Sequence, residues 1–336
     1  MARAPGFELI RSDAAFEALE PDWRALFERA GRPSPFLDFD WVRMTWQRVA
    51  LEGPPAQLAI VRRDGRLALG LLLQQMPYRG LFQRYHGALT ELPAFTEPLV
   101  AAEDVAGLTA ELLRGLGGQW LTFSLVLARL RDDAPVRQAL APRIRSEMTL
   151  GMAPMVDISG GFDGYYNAFS GGTRNQLSRK RRKLAAGGAV VLRLATEDSF
   201  DADFDWLLEH KRSWSPPDGG PLRAWVTEAG SEDDLRHIGK RWIADGRMVL
   251  GTLDSGDRRV AGGMVLVAGA EATYYVLTYD PAFAYYSPGR LLTLQLIEHV
   301  AGLGVERFDF MRGDQQWKDR LKNAVRGVRR IRVALG

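Results

Sequence analysis

An α/β protein built from two copies of one fold is the architecture this sequence predicts, and three observations carry it. The chain has 336 residues, about twice an ordinary domain. Each half runs through antiparallel strand signals, then a helix that stops at glycine, then a further strand. Segment 58–75 resembles 248–267, and the helix-glycine-strand unit ending at Val126 resembles the one ending at Phe310. That is an approximate duplication at about 180 residues, longer than any solenoid period. Domains are expected at 1–150 and 151–336.

The elements follow in order. A helix is expected over 13–30. Asp38 or Asp40 then stands where an N-cap belongs, ahead of an aromatic helix that carries Trp41 and Trp46. Strands 57–63 and 66–75 flank Asp64-Gly65, a strong hairpin signal. A helix over 104–116 and a strand over 119–126 close the first copy. In the second, a basic helix over 173–186 stops at Gly187-Gly188, followed by strand 189–195 and helix 202–213. Runs 247–253, 259–267 and 272–279 form a three-stranded meander, and helix 288–303 and strand 306–310 complete the copy.

Composition excludes several classes. Hydrophobic residues at 46% and charged residues at 25% describe a globular chain, not a disordered one. The absence of cysteine removes disulfides, thiolate metal sites and cysteine nucleophiles, and the four histidines lack ligand spacing, so no metal is expected. No apolar run approaches the roughly 20 residues that span a bilayer, and residues 1–10 lack the apolar core of a signal peptide. A soluble cytoplasmic protein is the expectation. The net charge of +3 lies in the second half, mostly at Arg179–Lys183.

The segment 272–292, Ala-Thr-Tyr-Tyr-Val-Leu-Thr-Tyr-Asp-Pro-Ala-Phe-Ala-Tyr-Tyr-Ser-Pro-Gly-Arg-Leu-Leu, together with Arg307-Phe-Asp-Phe-Met-Arg-Gly-Asp-Gln-Gln-Trp-Lys318, resembles the CelD-like and FemAB-like branch of the GNAT acyltransferase superfamily. Segments 36–46 and 174–184 support the likeness. The resemblance implies tandem GNAT-like domains, each a mixed, mostly antiparallel sheet flanked by helices. It also implies two neighbouring strands, here 272–279 and 306–310, that splay to admit the pantetheine arm of acetyl-CoA or another acyl-CoA.

Independently of that name, a loop entering a helix presents free N–H groups and a positive dipole end, which suit pyrophosphate. Ser287-Pro288-Gly289-Arg290 offers a capping hydroxyl, a first-turn proline, a glycine that permits close approach and a cation. Ser287 to Leu291 are thus the expected phosphate-binding residues, and the resemblance adds Leu277, Thr278 and Tyr279, at the end of the cleft strand, as the expected contacts of the donor's thioester. The loop holds a single glycine, fewer than ordinary GNAT enzymes, which keeps acyl carrier protein open as a donor. The first copy has no comparable loop and is expected to lack donor binding.

Acyl transfer to an amine requires a base for the incoming ammonium, an oxyanion donor and an acid for the departing thiolate. Asp309 alternates away from Phe308 and Phe310 and is either a base or a strand carboxylate paired with Arg312. Asp314 and Lys318 are either base and anchor or an ordinary i,i+4 pair. Tyr279, Tyr285 and Tyr286 cluster where a phenol can protonate sulfur. Arg174, Arg181 or Arg182 of the basic helix either reach an anionic cofactor or acidic substrate or form a solvated face with their stems over apolar surface, the commoner outcome, and Arg312 is a candidate substrate contact. Trp41 and Trp214 can line an acceptor pocket or fill a core.

An amino sugar, polysaccharide precursor or small amine is the expected acceptor, through the CelD-like resemblance. A FemAB-like transferase using aminoacyl-tRNA is the alternative, disfavoured because no heptad arm is present. A non-catalytic accessory protein of polysaccharide assembly is the third reading.

Overall fold

Which residues form the sheets is decided by the periodicity of apolar positions, and the chain divides into two units accordingly. The computed structural model describes residues 6–90, 92, 94–119, 121–214, 230–313 and 315–335, without the side chains of Glu52, Trp214 and Ser231. One unit comprises Met1–Ala153 with Arg326–Gly336, and the other comprises Pro154–Val325.

In the first unit, strand β1 (Phe7–Ile10) precedes helices α1 (Asp13–Glu17), α2 (Glu20–Arg29) and α3 (Phe39–Glu52). The helix expected over 13–30 is two helices, broken at Ala18-Leu19. Asp38 caps α3 by accepting from the Asp40 N–H at 3.0 Å. Strands β2 (Ala56–Arg63) and β3 (Arg66–Tyr78) meet at Asp64 and Gly65, both left-handed at φ 52° and 75°, as a tight hairpin turn demands. Then follow β4 (Phe82–Gly87), β5 (Leu99–Val100), α4 (Val105–Gly117), β6 (Thr122–Arg131), α5 (Val136–Leu140) and β7 (Ile144–Asp157). The sheet order is β1-β2-β3-β4-β6, with β5 on β3, and the last strand of the chain lies on the far side of β6. Across this unit β4 and β6 are parallel and stay paired from Gln83 to His86, nearly the whole of β4.

In the second unit come α6 (Phe162–Asn167), α7 (Gly171–Leu184), β8 (Val190–Leu194), α8 (Phe200–Trp214) and α9 (Ser231–Ala244). The meander β9 (Met248–Ser255), β10 (Arg258–Ala268) and β11 (Glu271–Tyr279) follows, then α10 (Pro288–Gly302), β12 (Arg307–Asp309) and α11 (Gln316–Asp319), after which β13 (Ala324–Ala334) returns to the first unit. This sheet runs β7-β12-β11-β10-β9-β8, antiparallel except for the β11–β12 pair. Its core gathers Leu291, Leu292, Leu296, Ile297 and Val300 of α10 with Val260, Val265, Ala272, Phe308 and Phe310 of the strands. Burial of such side chains stabilises by roughly 1.5–3 kcal/mol each. Both units are therefore mixed, mostly antiparallel sheets flanked by helices. Among the described residues no helix is long and apolar enough to cross a membrane, and no group of three His, Asp or Glu side chains is placed to hold a metal ion.

Candidate active site

β11 and β12 pair over only three positions, Glu271 with Arg307, Ala272 with Phe308 and Thr273 with Asp309. β11 then continues six residues further along β10, through a bulge at Met264/Val265. Among the described residues no strand pairs with its other edge beyond Thr273. The Asp280 N–H bonds the Val260 carbonyl on the β10 side at 3.0 Å. Backbone alternation therefore turns the peptide groups of Leu277 and Tyr279 to the open edge.

α10 starts beside that edge. A pocket of about 220 Å³ lies there, lined by Leu277 and Tyr279, by Ala284 and Ser287 to Arg290, by Gln176 and Lys180 of α7, and by Trp317 and Arg320. At Gly289 an added Cβ would lie 3.5 Å from both Leu277 methyls and 3.6 Å from the Tyr279 ring, so the absence of a side chain keeps the groove open. The strands thus part, and the opening ends at a helix N-terminus.

The electrostatics of the pocket come from side chains more than from the helix end. Pro288 has no N–H, and the N–H groups of Arg290 and Leu291 both return to the Ser287 carbonyl at 3.1 and 3.2 Å. Of the first-turn amides, only that of Gly289 is not committed in these ways. Ser287 does not cap the helix with its hydroxyl, as its sequence position predicts. Its backbone is left-handed at φ 54°, and its Oγ instead accepts from Lys180 Nζ at 2.6 Å. Lys180 Nζ also donates to the Tyr285 carbonyl at 2.9 Å. Arg290 is half-buried, its Nε has no hydrogen-bond partner, and its pKa is held below the usual arginine value first by burial and then by neighbouring Arg320. Among the described residues neither Arg290, Arg320 nor Lys180 has an ion pair. Three cations that no carboxylate faces among the described residues, one with an orphaned donor, fit a polyanion such as a pyrophosphate.

The expected site residues fall into distinct groups. Leu277, Tyr279, Ser287, Pro288, Gly289 and Arg290 converge on the pocket. Thr278 and Leu291 are buried and do not line it, Thr278 with no exposure at all. Tyr286 packs on Phe283 and Tyr285, at ring distances of 6.3 and 5.3 Å, outside the lining. Asp309 is completely buried and accepts the Met311 N–H at 2.5 Å, which fixes the left-handed turn at Met311 (φ 56°) as the chain leaves β12. Lys318 is buried and donates to the Met311 carbonyl at 3.4 Å, holding the same turn, while Arg312 is exposed. Asp314 and the side chain of Trp214 lie outside the described residues. Arg174 bonds Asn167 through its carbonyl and Oδ1 at 3.1 and 3.0 Å, and Arg181 is exposed; neither lines the pocket. Trp41 is a core residue of the first unit, 2% exposed and edge-on to Phe36 at 5.0 Å.

Four residues not singled out from the sequence belong here. Gln176 and Lys180 form an i,i+4 pair on one flank of the buried Leu177–Leu184 stripe, whereas Arg174 and Arg181 lie on the other. Arg320 follows α11 and faces Arg290 electrostatically. Lys211 of α8 is buried and donates from Nζ to the Leu277 carbonyl at 3.1 Å, on the open edge of β11. Burial depresses its pKa to about 8.

Sequence comparison bears on the same segment. Residues 171–319 match the family model described as an acetyltransferase (GNAT) domain. This region is similar to GNAT-type acetyltransferase domains, and every lining residue except Arg320 falls within the matched segment. Two solved structures are similar in fold. FemX is 10% identical over 95% of this chain and 96% of its own, with a TM-score of 0.57. A conserved protein of unknown function from Bacteroides thetaiotaomicron VPI-5482 is 12% identical over 94% and 97%, with a TM-score of 0.58. At such identities the likeness concerns the fold alone. No curated protein matches the chain in sequence.

Proposed function

We propose that the chain is an acyltransferase that moves an acyl group from a thioester donor, acetyl-CoA or another acyl-CoA, to an amine. One observation carries the reading: β11 and β12 separate after Thr273 and Asp309, and the released edge borders a cationic pocket at the start of α10. Lys180, Arg290 and Arg320 with the Gly289 N–H would hold the donor's phosphates, and the Gly289 groove would hold its pantetheine arm. The peptide groups of Leu277 and Tyr279 would orient the thioester by strand-like hydrogen bonds.

In this reading Lys211 is the base. Its neutral amine takes one proton from the acceptor's ammonium, and the freed amine attacks the thioester carbonyl. A C–N bond forms, the C–S bond breaks, and Tyr279 supplies the proton that the thiolate takes up, while the attacking nitrogen's second proton restores Tyr279. Asp314 is the other candidate base, and Asp309 organises the turn that leads to it. The first unit is proposed to be a GNAT-like domain without a donor cleft, since its equivalent strands β4 and β6 remain paired. An amino sugar or polysaccharide precursor as acceptor rests on the CelD-like resemblance.

Calorimetric titration with CoA, acetyl-CoA and longer acyl-CoAs tests the reading. Saturable binding to at least one is expected. Binding only to charged tRNA would favour the aminoacyl-transfer alternative, binding only to acyl carrier protein would change the donor, and binding to none of them would sink the enzyme.

A further inference from the structure

The first unit contains a second, separate opening at the ends of its strands, with a volume of about 570 Å³. That is within the roughly 300–1,000 Å³ typical of small-ligand clefts. Register places its walls. Gln75 on β3 lies opposite Tyr85 on β4, and Pro77 lies opposite Gln83, so these four share one face of the sheet by the two-residue period. Gln57 from the start of β2 and Gln119 just beyond α4 complete the polar lining, with Pro54 and Pro55 and one cation, Arg11, at the rim. Among the described residues no carboxylate lines the opening.

Two of these groups are buried without being satisfied. Gln57 is 8% exposed and donates from Nε2 to Gln75 Oε1 at 3.3 Å, yet its own Oε1 accepts nothing. Tyr85 has no exposure, and its hydroxyl makes no well-aligned hydrogen bond, with Arg11 as its polar neighbour. Burial raises the Tyr85 pKa, and nearby Arg11 opposes part of that rise. Arg11 itself is directed to Gln119 Oε1 at 3.3 Å. A buried polar atom left unmet is costly, and native structures seldom keep two such atoms at one opening without a use for them.

The chemistry of the walls selects the ligand. An amide offers a donor and an acceptor side by side, as do vicinal hydroxyl groups, so a cluster of four glutamines and a phenol matches a polyhydroxylated ring. Proline rings supply flat C–H surface for the apolar faces of such a ring. A phosphate or carboxylate ligand would call for several cations, and a cationic ligand for acids, and neither is present. We propose that this opening is a binding site for an uncharged saccharide, held by Gln57, Gln75, Gln83 and Tyr85. The inference is independent of acyl transfer: it concerns different residues in the other unit and stands or falls without the donor pocket.

The test is titration of the full chain with cellotriose, maltotriose and tri-N-acetylchitotriose to about 10 mM, followed by calorimetry and by NMR of labelled glutamine side chains. Expected is saturable binding of at least one trisaccharide, weakened roughly tenfold by Tyr85→Phe and by Gln75→Leu, with CoA affinity unchanged in both variants. Tyr85→Phe removes a single oxygen, so retention of the fold can be verified by circular dichroism on the same samples. The proposal is overturned if no trisaccharide binds, if binding is indifferent to both substitutions, or if only a sulfated oligosaccharide or a proline-rich peptide is retained.

Discussion

Replacing Gly289 separates the fold of the second unit from its proposed use. Gly289 is the second residue of α10 and its backbone is not in the left-handed region, so no strain opposes a side chain there. A methyl group would rest at ordinary contact distance, 3.5 Å from Leu277 and 3.6 Å from Tyr279. Gly289→Ala should therefore stabilise the helix by up to about 0.5–1 kcal/mol, the usual difference between glycine and alanine. The same methyl narrows the groove assigned to the pantetheine arm, and Gly289→Leu would fill it. Forcing a ligand past added carbons in a packed slot costs about 1–3 kcal/mol, or roughly 5- to 150-fold in Kd. Urea melts and CoA calorimetry on wild type, Gly289→Ala and Gly289→Leu read both quantities. Stability should hold or rise through the series while CoA affinity falls. Wild-type CoA affinity in a folded Gly289→Leu protein would refute the groove as the donor's path.

Other outcomes follow from the same geometry. Arg290→Gln removes a half-buried cation that has no ion partner among the described residues, so CoA affinity should drop by roughly 10- to 150-fold without loss of melting temperature. The salt dependence of binding between 50 and 300 mM should also flatten, on the order expected for one lost charge contact. With the Lys211 pKa depressed to about 8, its neutral fraction grows about tenfold per pH unit below that value. Once an acceptor is in hand, the acyl-transfer rate of the wild type should climb with pH and level off above about 8, and Lys211→Met should lose the ramp. A ramp of unchanged midpoint in that variant assigns the base elsewhere. In the first unit, Arg131 and Glu97 form a buried ion pair, 4% and 3% exposed, and Arg131 also donates to the Pro33 carbonyl at 3.2 Å. Arg131→Leu should cost about 3–5 kcal/mol in chemical denaturation, and adding Glu97→Leu should recover much of it.

Local signals in the sequence were legible where one residue decides the geometry. Asp38 caps α3, and Asp64-Gly65 turns the β2–β3 hairpin. The start of α10 at Pro288 was legible too, because proline and glycine at a helix start are local features, but the left-handed Ser287, whose hydroxyl turns to Lys180 instead of capping, was not. What tertiary partners decide was hidden. β13 went unread because Arg326, Arg329, Arg330 and Arg332 disguise its alternation, and buried Arg326 becomes tolerable only through Asp133 at 2.8 Å. For α7 the leucine stripe gave the buried side, but the flank that meets the donor loop depends on where Ser287 and Tyr285 lie. The completely buried position of Asp309 and the approach of Lys211 to Leu277 likewise arise from elements remote in sequence.

The return of the last strand to the first unit has a consequence for biogenesis. Everything from Pro154 to Val325 leaves the ribosome before Arg326 does, so the later-encoded unit can finish folding while the earlier one still lacks the strand that flanks β6. Nascent chains ordinarily complete their domains from the N-terminus onward. Here the half that was translated first is complete only once its last strand arrives, with Arg326 and Arg329 clasping Asp133 and Asp132.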